Sequence, residues 1–180
     1  MIRAEKPVIV GDRVTLRPLS VNDASAMFAS LEDCEAMRLT GTQSSHSHAD
    51  VVSHLERCET ADDRLDFAIL VADDLIGEVV LNNIDGLNKS ATFRIAIWYG
   101  KNRNNGYGTE ATKLVIKHGF EKVGLNRIEL EVFSFNPRAR HVYKQTGFVH
   151  EGTRRQALCW DNQWVDAHMM AILHTDFDAA

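Results

Sequence analysis

Proline is scarce, at three in 180 residues, and no Gly/Ser-rich tract or internal repeat interrupts the chain, so linkers and solenoid architectures are disfavoured. Cysteine is equally sparse. Cys34, Cys58 and Cys159 are widely spaced without a C-x-x-C pair, a pattern that predicts neither a disulfide nor a zinc site and suits a reducing compartment. No apolar run reaches the roughly eighteen residues that a membrane span needs, and the N-terminal M-I-R-A-E-K-P lacks the apolar core of a secretory leader. The sequence therefore predicts a cytoplasmic protein that does not engage a membrane. A basic excess is also missing: the formal charge of −5 argues against a general nucleic-acid binder, which must neutralise phosphates, and favours a cationic partner. What is present, 44% hydrophobic and 25% charged residues, suffices for a sizeable core in one domain spanning residues 1–180.

The most informative stretch is Arg103 to Ala111, R-N-N-G-Y-G-T-E-A, which follows an apolar run and precedes a helical pattern. Gly106 and Gly108 lack Cβ atoms, so backbone can approach a ligand closely there. The first N–H groups of the following helix have no intrahelical acceptor and bind anions readily. Arg103 adds a forked cation suited to phosphate. Asn104, Asn105, Tyr107 and Thr109 complete the loop, which reads as a cradle for a pyrophosphate. The same letters also spell G-x-G-x-x-A, a dinucleotide fingerprint, with Glu129 and Glu131 downstream. That fold places its glycine loop after the first strand of a parallel sheet, whereas here several strands with short turns come first.

Val14 to Leu19 alternates as a strand with one wet face does, and Pro18 places it near an edge. Asn22 is positioned to cap a helix running to about Glu32, Leu39 to Ser45 is turn-like, and Ser47 with Asp50 forms a capping-box signature for a helix to about Glu59. Strands follow over Phe67 to Val71, Leu75 to Leu81 and Ala91 to Tyr99, with a turn at Asp73 and Asp74. After the loop, Ala111, Leu114, Val115 and His118 recur at helical spacing, and Gly124 stops that helix. Arg127 to Phe133 alternates again. Asn136 with Pro137 begins another helix, which Gly147 ends, and strands near Phe148 to Gln156 and Gln163 to His174 flank a turn at Asp161 and Asn162. The order is β, α, α, β, β, β, α, β, α, β, β.

Within that order, Arg103-Asn104-Asn105-Gly106-Tyr107-Gly108 matches the Q/R-x-x-G-x-G/A pyrophosphate loop of the GNAT superfamily, and Asn136-Pro137-Arg138-Ala139-Arg140-His141-Val142-Tyr143 through Phe148 matches its second motif. The chain resembles these acyl-CoA-dependent N-acetyltransferases over nearly its whole length, and within them the branch of ribosomal-protein N-terminal and spermidine acetyltransferases. The resemblance implies an α+β fold, an α/β sandwich with a mixed, mostly antiparallel seven-stranded sheet flanked by about four helices. It implies acetyl-CoA as cosubstrate, with pantetheine lying between two splayed strands beside Ile97 and Trp98, Asn136 facing the pantetheine arm, and Tyr143 approaching the thioester sulfur. Arg138 and Lys144 flank Tyr143 and are candidates for the ribose phosphate of CoA, or equally the wet face of a helix. From the residues alone, Asn136 is also a helix cap and Tyr143 also a core aromatic.

Acetyl transfer to an amine requires a neutral nucleophile, a polarised carbonyl and a proton for the departing thiolate. Tyr143, with an ordinary pKa of about 10, can supply that proton. Deprotonating an α-amino group of pKa about 8 costs roughly 1.4 kcal/mol at pH 7, and a lysine-like amine of about 10.4 costs roughly 4.6 kcal/mol, so a base matters more for the second. Glu78, inside a strand, is the best single candidate base; its bland reading is a solvated partner of a cross-strand cation. The acid and base used by some ribosomal-protein enzymes of the branch fall here on Ala139 and Leu158, so that pair is absent. Asp166 and His168 could line the acceptor pocket or an exposed strand face. His46, His48 and His54 lack the spacing and partners of a metal site, and Cys159 has no evident activating base. The sequence thus predicts direct acetyl transfer to a primary amine of a small molecule or a protein N-terminus. The rival is a non-catalytic acyl-CoA sensor, and a homodimer is common in this branch.

Overall fold

The computed structural model describes residues 6–178; residues 1–5, which open the stretch read above for a leader, lie outside them. One sheet of eight strands runs in the order β1-β2-β3-β4-β5-β6-β8-β7. The strands are β1 Ile9–Val10, β2 Thr15–Pro18, β3 Leu65–Val71, β4 Asp74–Asp85, β5 Ser90–Ile97, β6 Arg127–Phe133, β7 Val149–Trp160 and β8 Gln163–Leu173. Every neighbouring pair is antiparallel except β5 with β6. The strand beyond the expected seven is β1, whose two residues are too short to show an alternation.

The helices are α1 Ala24–Ser30, α2 Cys34–Thr40, α3 His48–Thr60, α4 Tyr107–His118, α5 Pro137–Gln145 and α6 His174–Asp178. Two differences from the sequence reading have local causes. Asn22 is not a cap: Ser20 and Asp23 form a capping box around the single turn Val21–Asp23, and Arg17 grips Asp23 with two bonds of 2.8 and 2.6 Å. The region read as extending from helix to turn instead holds α2, where the Asp33 carboxylate accepts the Ala36 N–H at 3.0 Å and Gly41, at φ +68°, ends the helix. The Ser47–Asp50 box starts α3 as expected.

Alternation along the strands divides the apolar residues between two faces. On one, Ala111, Val115 and Ile116 of α4 join Phe67, Leu81, Phe93 and Leu130 in the main core. On the other, Met27 of α1 and Val51 and Leu55 of α3 pack with Leu19, Ala68 and Trp98. Complete burial of a side chain such as Phe67 or Leu55 contributes about 1.5–3 kcal/mol, so both layers are held by apolar contact.

The feature that positions the site is a failure of pairing. β5 and β6 pair only at Ser90–Arg127, Ala91–Ile128 and Thr92–Glu129. Beyond that, β5 stays with β4 as far as Ile97–Gly77 while β6 stays with β8 as far as Phe133–Ala167. Each strand follows its other neighbour, and a wedge opens between them.

Candidate active site

The wedge holds a cavity of about 230 Å³ whose walls come from β5, β6, the segment 102–109 and α5. Trp98 N–H donates to Ile76 O on β4. Carrying that alternation back along β5 turns the backbone polar groups of Ala96 and Arg94 toward β4 and those of Phe93, Ile95 and Ile97 into the wedge. A free strand edge of this kind binds an extended, amide-bearing ligand as a further strand would bind.

At one end of the cavity lies the N-terminus of α4. Its N-cap, Gly106, sits at φ +81°, and the first intrahelical bond runs from Glu110 N–H to Gly106 O, leaving the N–H groups of Tyr107, Gly108 and Thr109 without helical acceptors. The two glycines have different reasons. A Cβ on Gly106 would lie 2.8 Å from Arg13 Nη2 at a φ that L-residues resist, whereas one on Gly108 would meet Ile97 Cγ1 at an ordinary 3.4 Å. Gly106→Ala should therefore lower the melting temperature by roughly 2–8 °C, from about 1–2 kcal/mol of strain, and weaken CoA binding; Gly108→Ala should leave the melting temperature near wild type. Thermal melts and a CoA titration of both variants check this.

Arg13 stands beside this loop from the far end of the chain. It donates to Glu110 Oε2 at 3.1 Å and to the Asn105 carbonyl at 2.9 Å, and its guanidinium lies 5.8 Å from the centre of the Tyr107 ring. Burial pushes the Glu110 carboxyl upward, but hydrogen bonds from the Arg13 and Val14 N–H groups and the Arg13 charge outweigh it and hold the carboxyl below its ordinary value. Nothing in the sequence links Arg13 to a loop some ninety residues away.

Arg103 departs from its expected use. Its side chain is buried and donates to Asp33, to Glu35 at 2.5 Å and to the Ile97 carbonyl at 3.1 Å, so its fork fastens α2 to the loop rather than facing a phosphate. Asp33 also accepts the Tyr99 N–H at 2.7 Å. Trp98 departs as well: buried at 3% exposure, it points to the opposite face of the sheet, and Ile95 takes its place beside Ile97. Among the remaining loop residues Asn104, Tyr107 and Thr109 line the cavity, while Asn105 turns its amide to the Lys101 carbonyl at 3.0 Å. Arg138 lines the cavity and Lys144 does not.

At the other end stands Tyr143, 8% exposed, edge-on to Phe93 and Phe148 with ring centres 5.8 Å away in each case. Burial alone pushes its phenol well above the ordinary value, so the hydroxyl keeps its proton at neutral pH. Asn136 caps α5, accepting the Ala139 N–H at 3.1 Å, and also lines the cavity.

A second cavity, of about 480 Å³, lies on the other face of β5 under α1, α2 and α3. The two share Ala36, Thr40, Arg94, Ile95 and Ala96 as a common wall. Glu78 lines the second cavity, opposite Ala96 in the strand register. Burial raises its pKa, with the Arg94 charge opposing. Asp166 and His168 line neither cavity: Asp166 accepts the Gln156 N–H at 2.8 Å, and His168 meets the Thr153 hydroxyl at 3.1 Å. Cys159 also lines neither, and no group of three metal-ligating side chains gathers among the described residues.

Chemically, the arrangement offers an anion cradle, a strand edge and a proton donor in one cleft, with a carboxylate behind the shared wall. A family model described as an acetyltransferase (GNAT) domain matches residues 13–149. The chain is 33% identical over 129 residues to the probable N-acetyltransferase YjcK of Bacillus subtilis (strain 168), covering 70% of each. It is 25% identical over 172 residues to the uncharacterized N-acetyltransferase YoaA of the same organism, covering 93% of this chain and 97% of the relative. Its fold superposes with a TM-score of 0.87 on spermidine N-acetyltransferase from Vibrio cholerae, solved in complex with CoA and spermine, at 23% identity over 93% of this chain and 99% of the other.

Proposed function

The chain belongs to the GNAT family of acetyltransferases and is an acetyl-CoA-dependent N-acetyltransferase, and from that premise we propose how its residues divide the work. The observation that carries the reading is the wedge between β5 and β6, closed at one end by the α4 N-terminus and at the other by Tyr143. The N–H groups of Tyr107, Gly108 and Thr109 hold the pyrophosphate, with the helix dipole behind them. The edge groups of Phe93 and Ile95 and the N–H of Ile97 pair with the amides of the pantetheine arm, and Asn136 and Arg138 border its path. A backbone N–H of that edge polarises the thioester carbonyl.

The acceptor is the primary amine of a small molecule, and it enters through the second cavity. Transfer is direct: the amine nitrogen forms a bond to the acetyl carbon, the carbon–sulfur bond breaks, Glu78 takes the amine proton and Tyr143 gives its proton to the departing sulfur. A base whose pKa is raised toward that of the amine narrows the proton-transfer gap. One domain, residues 1–180, would carry both cavities. No helix among the described residues is long and apolar enough to cross a membrane, and the three free cysteines fit action in the cytoplasm.

At a hundred times its Kd, acetyl-CoA should raise the melting temperature on the order of 5–10 °C, from about 2.7 kcal/mol of linkage. Release of free thiol with an amine panel then separates the enzyme from a sensor that only binds. No thermal shift with acetyl-CoA, and a shift with NAD, would contradict the reading. Glu78 adds a pH signature. Because its pKa is raised, the acidic limb of kcat/KM should lie above the ordinary glutamate value, activity rising as Glu78 deprotonates, and Glu78→Gln should remove that limb while lowering the plateau about 100-fold or more. An unchanged limb in the variant assigns it to another group.

A further inference from the structure

The second cavity carries a charge pattern that narrows the acceptor, given the acyl-transfer reading above. Its acidic and basic lining comprises the carboxyl groups of Asp50 and Glu78, the guanidiniums of Arg57 and Arg94 and the imidazoles of His46 and His54. Asp50 is already committed, accepting from the Ser47 N–H at 2.8 Å and the Ser47 hydroxyl at 2.7 Å in the α3 capping box. Among the described residues neither the Glu78 carboxylate nor either guanidinium is held in a side-chain hydrogen bond or a close ion pair, although the Arg94 charge is felt at Glu78. Nearby arginines behave differently: Arg17 and Arg64 are each held by two bonds to an aspartate. The cavity therefore sets two carboxylates against two guanidiniums, with no excess of negative charge to hold a polycation and with both guanidiniums free to meet an anionic group.

The strand register fixes how these groups are spaced. Glu78 stands opposite Ala96 and Val80 opposite Arg94, so Glu78 and Arg94 are diagonal neighbours on one face of β4 and β5, with bases roughly 7–8 Å apart. Arg94 and Ala96 belong to the wall shared with the first cavity, which brings both groups beside the place where the acetyl group must arrive. Arg57 reaches the cavity from the last turn of α3. Met27, Leu31, Met37 and Trp98 supply an apolar floor.

We propose that the acceptor is a small amino acid, a primary amine that carries its own carboxylate, with the amine at Glu78, the carboxylate at Arg94 and Arg57, and an apolar body against the methionines. A forked guanidinium suits a carboxylate in particular. This pattern revises the inference from net charge, since the overall −5 is not what faces this cavity.

The test compares matched amines by thiol release: L-phenylalanine, its methyl ester, 2-phenylethylamine, L-lysine, 1,5-diaminopentane and spermidine. The expected result is a kcat/KM for at least one amino acid about tenfold or more above that for its decarboxylated partner and for spermidine, each guanidinium contact being charge-assisted. The ester has the lower amine pKa and so more free amine, yet it should be the poorer acceptor. Arg94→Gln and Arg57→Gln should raise KM for the amino acid and erase the preference, while for Arg57→Gln, which lies outside the first cavity, the acetyl-CoA thermal shift stays at the wild-type value. Equal or better turnover of the decarboxylated amines or of spermidine overturns the proposal and leaves acyl transfer standing. No thiol release with any amine overturns both.

Discussion

Tyr143→Phe should bind acetyl-CoA as wild type does and yet turn over about 10²–10⁴-fold more slowly, with KM for the amine little changed. The substitution removes one oxygen and keeps the ring that packs edge-on against Phe93 and Phe148, so the core should not notice it. In the proposed mechanism, what it removes is the proton for the departing sulfur. Because burial raises the phenol's pKa, the wild-type enzyme should show no loss of activity from ionisation of Tyr143 at mildly alkaline pH. A leaving group of intrinsically lower pKa needs that proton less, so a more activated thioester should recover part of the lost rate. Steady-state kinetics and a CoA titration decide the matter, and an unchanged kcat would remove Tyr143 from its role.

The second large effect concerns stability. Asp33→Ala should cost about 3–5 kcal/mol and lower the melting temperature by roughly 6–20 °C, because it leaves the Arg103 guanidinium buried without its principal counter-charge. The same change uncaps α2 and releases the Tyr99 N–H, so the helix cap and both Asp33 attachments from α2 to the 99–103 segment are lost together. Glu35→Gln should cost about 0–1 kcal/mol, since that carboxylate is 55% exposed and screened by solvent. The pH dependence has a definite sign. Burial alone would raise the Asp33 pKa, but the Ala36 and Tyr99 N–H groups and Arg103 together lower it. The stabilisation is therefore fully present above the ordinary aspartate value and is lost as pH falls through the lowered one. Melts of the two variants at neutral and acidic pH check both claims; similar losses for Asp33→Ala and Glu35→Gln would contradict them.

Much of this molecule was legible before its structure. The loop from Arg103 to Ala111 and the segment from Asn136 to Phe148 carry their chemistry in local order: a glycine at positive φ, a helix N-terminus, an asparagine cap and a tyrosine on the inner face. Such features depend on neighbours within a turn or two and survive translation into sequence. Strands with one wet face were equally readable, and the two-residue β1 was not.

What remained hidden depends on long-range placement. Arg103 looked like a phosphate fork because a sequence shows the cation and not its acceptors; Asp33 and Glu35 lie about seventy residues earlier. α2 was missed because seven residues give too few turns for a periodic pattern, although Asp33 and Gly41 mark its two ends. Trp98 and Ile95 exchanged roles because a strand's faces invert with a one-residue shift. The second cavity was least legible of all, its charges coming from α3, β4 and β5, which no local pattern connects.

The central claim is that acetyl-CoA lies in the wedge between β5 and β6, with its pyrophosphate on the α4 N-terminus. An amide NMR titration with acetyl-CoA tests it most directly. The account predicts the largest shifts at Tyr107, Gly108, Thr109, Ile95 and Ile97, with Arg57 responding only when the amine is added. Absence of shifts at Tyr107 to Thr109 under saturating acetyl-CoA would contradict it.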